Sequence, residues 1–154
     1  MTNKEVVLMA MQMHGREAAL NLRGRAADLD GTAIIAEEVK IPEFDNTKDY
    51  SGWAVGAPVR ELIDGEYQVF KLLIPHNASH YIGSTPANSP AMWSICHTKD
   101  AEKAKPYLPP NGISGMYMKD EVCLKDEKVW RSVNDNNAYP PNEIGTEALW
   151  ILVE

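Results

Sequence analysis

The stretch that decides the fold is GMYMKDEVCLKDEKVWRSVNDNNAYPPNEIGTEALWILV, residues 115–153. It continues a texture that begins at Tyr50, where short β-prone runs alternate with turn residues: Gly52, Gly56-Ala57-Pro58, Asp64-Gly65, Gly83, Pro86 and Pro90. Small all-β units read this way. The stretch also has a diverged partner. Sliding the chain by 63 positions places Gly52 on Gly115, Val59 on Val122, Tyr67 on Trp130 and Phe70 on Val133. After a six-residue excess in the first copy, Ala91–Ile95 falls on Ala148–Leu152, so both copies close on Ala, a Leu-like residue, Trp, any residue and an aliphatic. A repeat constrains architecture before any single residue does. Two small modules are expected, residues 49–97 and 112–154.

Working outward, Thr98 to Asn111 is charged and then proline-rich (Pro106, Pro109, Pro110), the composition of a semi-rigid linker over 98–111. Upstream the periodicity changes. Val6, Met9, Met13 and Leu20 recur at spacings of three, four and seven, with Arg16 the polar interruption, which predicts one helix from about Lys4 to Ala27. Asp28-Leu29-Asp30-Gly31-Thr32 supplies cap residues, and AIIAEEV is a second, short helix stopped by Pro42. Residues 1–45 are therefore a helical assembly segment, and the fold class is α+β: an N-terminal helical segment followed by two small antiparallel β modules. Modules this small need a neighbour to complete a core. The stripe Val6, Met9, Met13 and Leu20 also has to be covered, so self-association is expected.

Composition excludes several functions. The 154 residues carry a net charge of −7 with no basic cluster longer than Arg23-Gly24-Arg25, so nucleic acid is not the expected partner. No run approaches the ~18 apolar residues of a membrane span, so no membrane insertion is expected, and the N-terminus lacks a signal-peptide cleavage site. Cys96 and Cys123 are far apart and outside CxxC spacing, so no disulfide framework or zinc ribbon is indicated. His76-x3-His80 has ligand spacing, but Pro75 and the residues between argue for a loop, so no metal and no cofactor are expected. There is no nucleophile elbow, phosphate loop or HExxH motif, and the expectation is a protein that binds without catalysing.

In the second copy, Tyr117, Asp120, Val122, Trp130, Asn136, Asn137, Pro140 and Trp150 follow one another as Tyr, Asp, Val, an aromatic after a short turn, an Asn-rich run, Pro and a closing Trp. This pattern resembles the family 5/12 carbohydrate-binding modules, also called chitin-binding type 3 domains, with Lys119 standing where a Gly precedes the Asp. The first copy keeps Trp53, Gly56, Val59, Tyr67, Asn77, Pro90 and Trp93 but has Ala57 in place of the Asp and a longer loop from His76 to Ser89. The whole layout, a helical lead followed by such modules, resembles small tail-associated proteins of bacteriophages and prophages. The resemblance implies a virion component made in the bacterial host cytoplasm, a tail fibre, baseplate or fibre-attachment protein that partners itself as a trimer and other tail proteins. Contact with cell-surface polysaccharide is a further implication. The alternative is a free-standing polysaccharide-binding protein.

Sugar rings present flat apolar faces, so a glycan site needs exposed aromatic planes beside polar groups. Tyr81, Tyr117 and Tyr139 are the candidates for exposed stacking, with Trp130, Trp53 and Asn136 as further contacts. Trp93 and Trp150 lie in closing strands with Ile95 and Leu152 two residues on, which predicts that they fill the cores. The run Asn134–Asn137 is first of all a turn, because such side chains bond their own backbone.

Overall fold

The computed structural model describes residues 2–153. Helix α1 spans Asn3–Arg25, within two residues of its predicted limits. It starts at a capping box in which Thr2 accepts from the Glu5 amide and the Glu5 carboxylate accepts from the Thr2 amide at 2.7 Å. A 3-10 turn and Asp30, whose carboxylate accepts from the Ala33 amide at 2.9 Å, lead into α2 (Gly31–Ile35). The elbow is held by Glu37, which takes a two-pronged hydrogen bond from Arg25 at 2.6 and 2.8 Å and a third from Lys40 at 2.6 Å. These partners, Arg25 first, hold its carboxyl down at about 2.

Two three-stranded antiparallel sheets follow. The first is β1 (Pro58–Ile63), β2 (Glu66–Leu72) and β3 (Trp93–Ile95); the second is β4 (Val122–Lys125), β5 (Lys128–Ser132) and β6 (Trp150–Val153). Both hairpins turn over two residues with positive φ, Asp64-Gly65 and Asp126-Glu127, the geometry whose twist matches paired strands.

The repeat is real, but its register is not a constant 63. Hydrogen bonding sets the true correspondence. The Leu72 amide bonds Ala57 and the Gly56 amide bonds Leu72; in the second sheet the Ser132 amide bonds Glu121 and the Asp120 amide bonds Ser132. Gly56 thus matches Asp120, and both hold positive φ, 93° and 74°. Leu72 pairs with Trp93 as Ser132 pairs with Trp150, and Phe70 with Ile95 as Trp130 with Leu152. So Val59 corresponds to Cys123 and Phe70 to Trp130, where the constant slide had placed Val122 and Val133. Each copy also begins earlier than expected. Phe44 donates to the Arg60 carbonyl as Tyr107 donates to that of Leu124, and Glu43 bridges Arg60 in parallel as Pro106 bridges Leu124.

That pairing revises the linker. Residues 98–111 are built into the second module: Thr98 is buried and bridges Val122, while Lys105 to Tyr107 form a lead along β4. Pro106 is tolerated there because the lead's bonds come from Lys105 and Tyr107, so its missing N–H breaks nothing.

Three cores result. Tyr50, Val59, Phe70, Leu72 and Trp93 form that of the first module, with Phe44 and Trp53 at its margin. Tyr117, Cys123 and Trp150 form that of the second, with Tyr107 and Trp130 packed against it. Trp93 and Trp150 are core residues as expected, whereas Leu152 is half exposed. The third core joins the helical segment to the outer face of the first sheet: Leu22, Ala26, Ile34, Ile35 and Ile41 close over Val69 and Cys96.

Candidate functional site

The residues proposed for glycan stacking part company in the structure. Tyr117 is buried, not exposed. Its ring stacks on His97 at 3.7 Å and on Tyr107 at 5.6 Å and meets Trp150 edge-on at 5.3 Å. Burial raises its hydroxyl well above the usual tyrosine range. Tyr50 holds the same place in the first module, stacked on Phe44 and edge-on to Trp93 at 5.3 Å. A tyrosine at this position is a structural post in both copies and has no face to offer a sugar.

Trp53 is half-buried, and the Arg23 guanidinium lies 3.7 Å from its ring centroid with the Lys48 ammonium at 5.1 Å. Arg23 thereby pins the end of α1 to the first module, and the ring face is occupied. Tyr67 is placed similarly, under Arg60 at 4.2 Å with its hydroxyl on the Glu43 carboxylate. Tyr81 is exposed in the long loop of the first module, its edge against His76 at 5.5 Å. Asn136 is exposed at a φ of 55° and serves as a turn residue.

The second module assembles the better site. Trp130 and Trp150 line an open cleft of about 330 Å³ with Asn142, Glu143, Ile144, Thr146 and Glu147. The Trp150 indole donates to the Tyr139 carbonyl at 2.8 Å, tying an exposed tyrosine to the same tryptophan. Lys125 crosses the rim, its ammonium bonding the Pro141 carbonyl at 2.9 Å and the Glu143 carboxylate at 3.0 Å. Aromatic walls, an amide and two carboxylates are what a polyhydroxyl ligand needs. The loop Asn142–Glu147 was missed in the sequence, where it reads as plain turn chemistry. Its only signal is Asn142, whose positive φ of 59° and side-chain bond to Asp126 fold the loop back onto the hairpin.

His97 sits between the modules. A ring N–H donates from Nε2 to the Gly115 carbonyl at 3.0 Å, and burial, partly offset by that bond, pushes its imidazole down to about 4. The unfolded chain takes up a proton near pH 6.5 that the folded chain refuses until about 4. The His97 contribution to stability therefore falls as pH drops through that window and levels off below it, a loss of about 3 kcal/mol in denaturant titrations between pH 7 and 4. His97→Phe should flatten this fall, leaving the smaller loss that sets in below pH 4.5 as Glu37 protonates.

His76 donates from Nδ1 to the Ile74 carbonyl at 2.8 Å, and His80 meets the Asn77 amide, so the two histidines serve separate local bonds. No cluster of three metal-ligating side chains occurs among the described residues. Cys96 and Cys123 are free and buried, and burial raises both thiols to about 12, which leaves them poor nucleophiles.

Helix α1 presents the other feature. Its N-terminal half is uncovered: Val6, Val7, Leu8, Met9, Met11 and Met13 are each 48–66% exposed. The stripe Val6, Met9, Met13 and Leu20 is exposed in the single chain, and Val7, Leu8 and Met11 make this half apolar all round rather than one-sided.

Fold and site together define a two-module β protein with a projecting apolar helix. No protein-family model matches the chain, and no curated protein matches it.

Proposed function

We propose that the chain is a non-enzymatic component of a phage or prophage tail, a tail-fibre, baseplate or fibre-attachment protein. In this reading the N-terminal helix is its assembly device and the second module its outward attachment surface. The carrying observation is the helix. A segment apolar on every side is stable in water only when enclosed, and residues 3–17 touch none of the three cores. Self-association, as a trimer, encloses it without a second protein, and other tail proteins are the remaining partners.

A chain starting at Ala18 keeps Leu22 and all three cores. It is expected to have monomer mass by light scattering where the full chain is trimeric, and to melt cooperatively at a temperature that, unlike the full chain's, does not depend on protein concentration, because no core contact within the chain is lost. A full chain that is monomeric at high concentration overturns the assembly reading.

The free-standing polysaccharide-binding reading draws on the Trp130–Trp150 cleft and on Tyr139 beside it. It requires glycan affinity that persists in the shortened chain.

A further inference from the structure

The two modules are copies, yet only one has the outer face of its sheet covered. In the first module that face carries Arg60, Val69, Lys71, Ser94 and Cys96, and the helical segment closes over Val69 and Cys96 until both are buried. The hydrogen-bond correspondence places Leu124, Val129, Arg131, Ile151 and Val153 at the same five positions of the second module. There the substitutions run opposite to the exposure. Half-buried Arg60 and Ser94 become Leu124, 37% exposed, and Ile151, 59% exposed. A sheet face grows more apolar where it has lost its cover only if something else covers it.

We infer that this face of the second module receives the apolar half of α1, residues 6–13, from a second copy of the chain. The inference rests on the assembly reading above and names the surface on which the helix lands. Two observations select that occupant. The corresponding face of the first module is closed by this chain's own helical segment, so the sheet already has a helix-receiving form. Residues 6–13 are the stretch of α1 with exposed apolar side chains on every side, and they lie in the part of the helix that touches no core of its own molecule. Charge permits it: residues 3–17 balance Lys4 and Arg16 against Glu5 and Glu17, so this part of the helix meets the acidic second module, four basic and eight acidic residues over 112–154, without like-charge repulsion. Helix on one side and sheet on the other make a head-to-tail contact, which closes into a ring when the rotation between copies allows it.

The test uses the full-length protein. Ile151→Glu changes an exposed side chain and leaves the core of the module intact, while Val39→Glu changes a still more exposed apolar residue away from the face. Light-scattering mass against concentration should show association weakened at least about tenfold by Ile151→Glu and by Met9→Glu, and unchanged by Val39→Glu. A mixture of one chain carrying Met9→Cys with another carrying Ile151→Cys should cross-link under oxidation into a disulfide dimer that neither forms alone. If Met9→Glu yields monomers while Ile151→Glu keeps the full mass, the helix assembles elsewhere and this inference falls while the assembly reading stands. If the unmodified chain is itself monomeric, both fall.

Discussion

Trp93→Ala is expected to lower stability by about 4 kcal/mol, near the middle of the range for removing a buried tryptophan, and Trp150→Ala by less. The two residues are equivalent in the repeat, so the difference measures their surroundings. Trp93 is wedged among three rings, with Tyr50 edge-on at 5.3 Å, His76 at 5.6 Å and Phe44 at 5.8 Å, and lies in a core of seven buried residues. Removing it leaves a cavity walled by these three rings, which collapse less readily than flexible side chains do. Trp150 meets Tyr117 at 5.3 Å and Tyr107 at 6.5 Å in a core of three buried residues, beside an open cleft. The first sheet also carries the helical segment on its other face through Val69 and Cys96. Losing Trp93 therefore loosens two cores at once, against a total of about 5–15 kcal/mol for a domain. Urea titrations of the two variants give the comparison, and equal losses would mean that the second core is as tightly filled as the first.

The same physics explains what the sequence disclosed. The helical lead, the two sheets and the two core tryptophans were legible because each leaves a trace: apolar spacings of three and four, short β-prone runs around turn residues such as Asp64-Gly65, and Trp two residues before an aliphatic in a closing strand. Register was not legible, because the segment from Phe44 to Tyr50 is four residues shorter than that from Tyr107 to Tyr117, while that from Tyr50 to Gly56 is three residues longer than that from Tyr117 to Asp120. These differences nearly cancel, so a single slide of the chain looks right as far as β4; the second hairpin is then four residues shorter, seven from Cys123 to Trp130 against eleven from Val59 to Phe70, and the slide matches Tyr67 to Trp130. Tyr117 passed for a surface ring because tyrosine is compatible with either environment, and its hydroxyl partner, the Leu108 amide, lies in the segment that composition marked as a spacer. Prolines there signal an absent N–H rather than an absent strand. Of the candidate site, Trp130 and Tyr139 were visible, but the cleft needs the Asn142–Glu147 loop, whose fold depends on a side-chain bond to a distant turn.

Gly31→Ala is the second large effect, and its sign is opposite to what helix propensity gives. Gly31 opens α2 with ordinary helical backbone, and alanine in a helix is normally better than glycine by about 0.5–1 kcal/mol. Here a Cβ would fall on the His97 carbonyl oxygen, well inside contact distance, and 3.1 Å from the His97 nitrogen. That strand end cannot retreat. The Cys96 amide is bonded to the Val69 carbonyl at 2.8 Å, the His97 ring is stacked on Tyr117, and the Lys99 amide is bonded to the Thr32 hydroxyl at 2.9 Å. Relief must come from moving α2 away, which opens the core of Ile34, Ile35 and Cys96. The expected cost is about 3 kcal/mol or more, at the upper end for overpacking because backbone meets backbone. Gly15→Ala is the matched control: nothing lies within 4 Å of its Cβ position on the projecting part of α1, so it should stabilise that helix by about 0.5–1 kcal/mol. Helix content by circular dichroism and urea midpoints for the two variants decide the matter. If Gly31→Ala also stabilises, α2 does not seat on the junction between the modules.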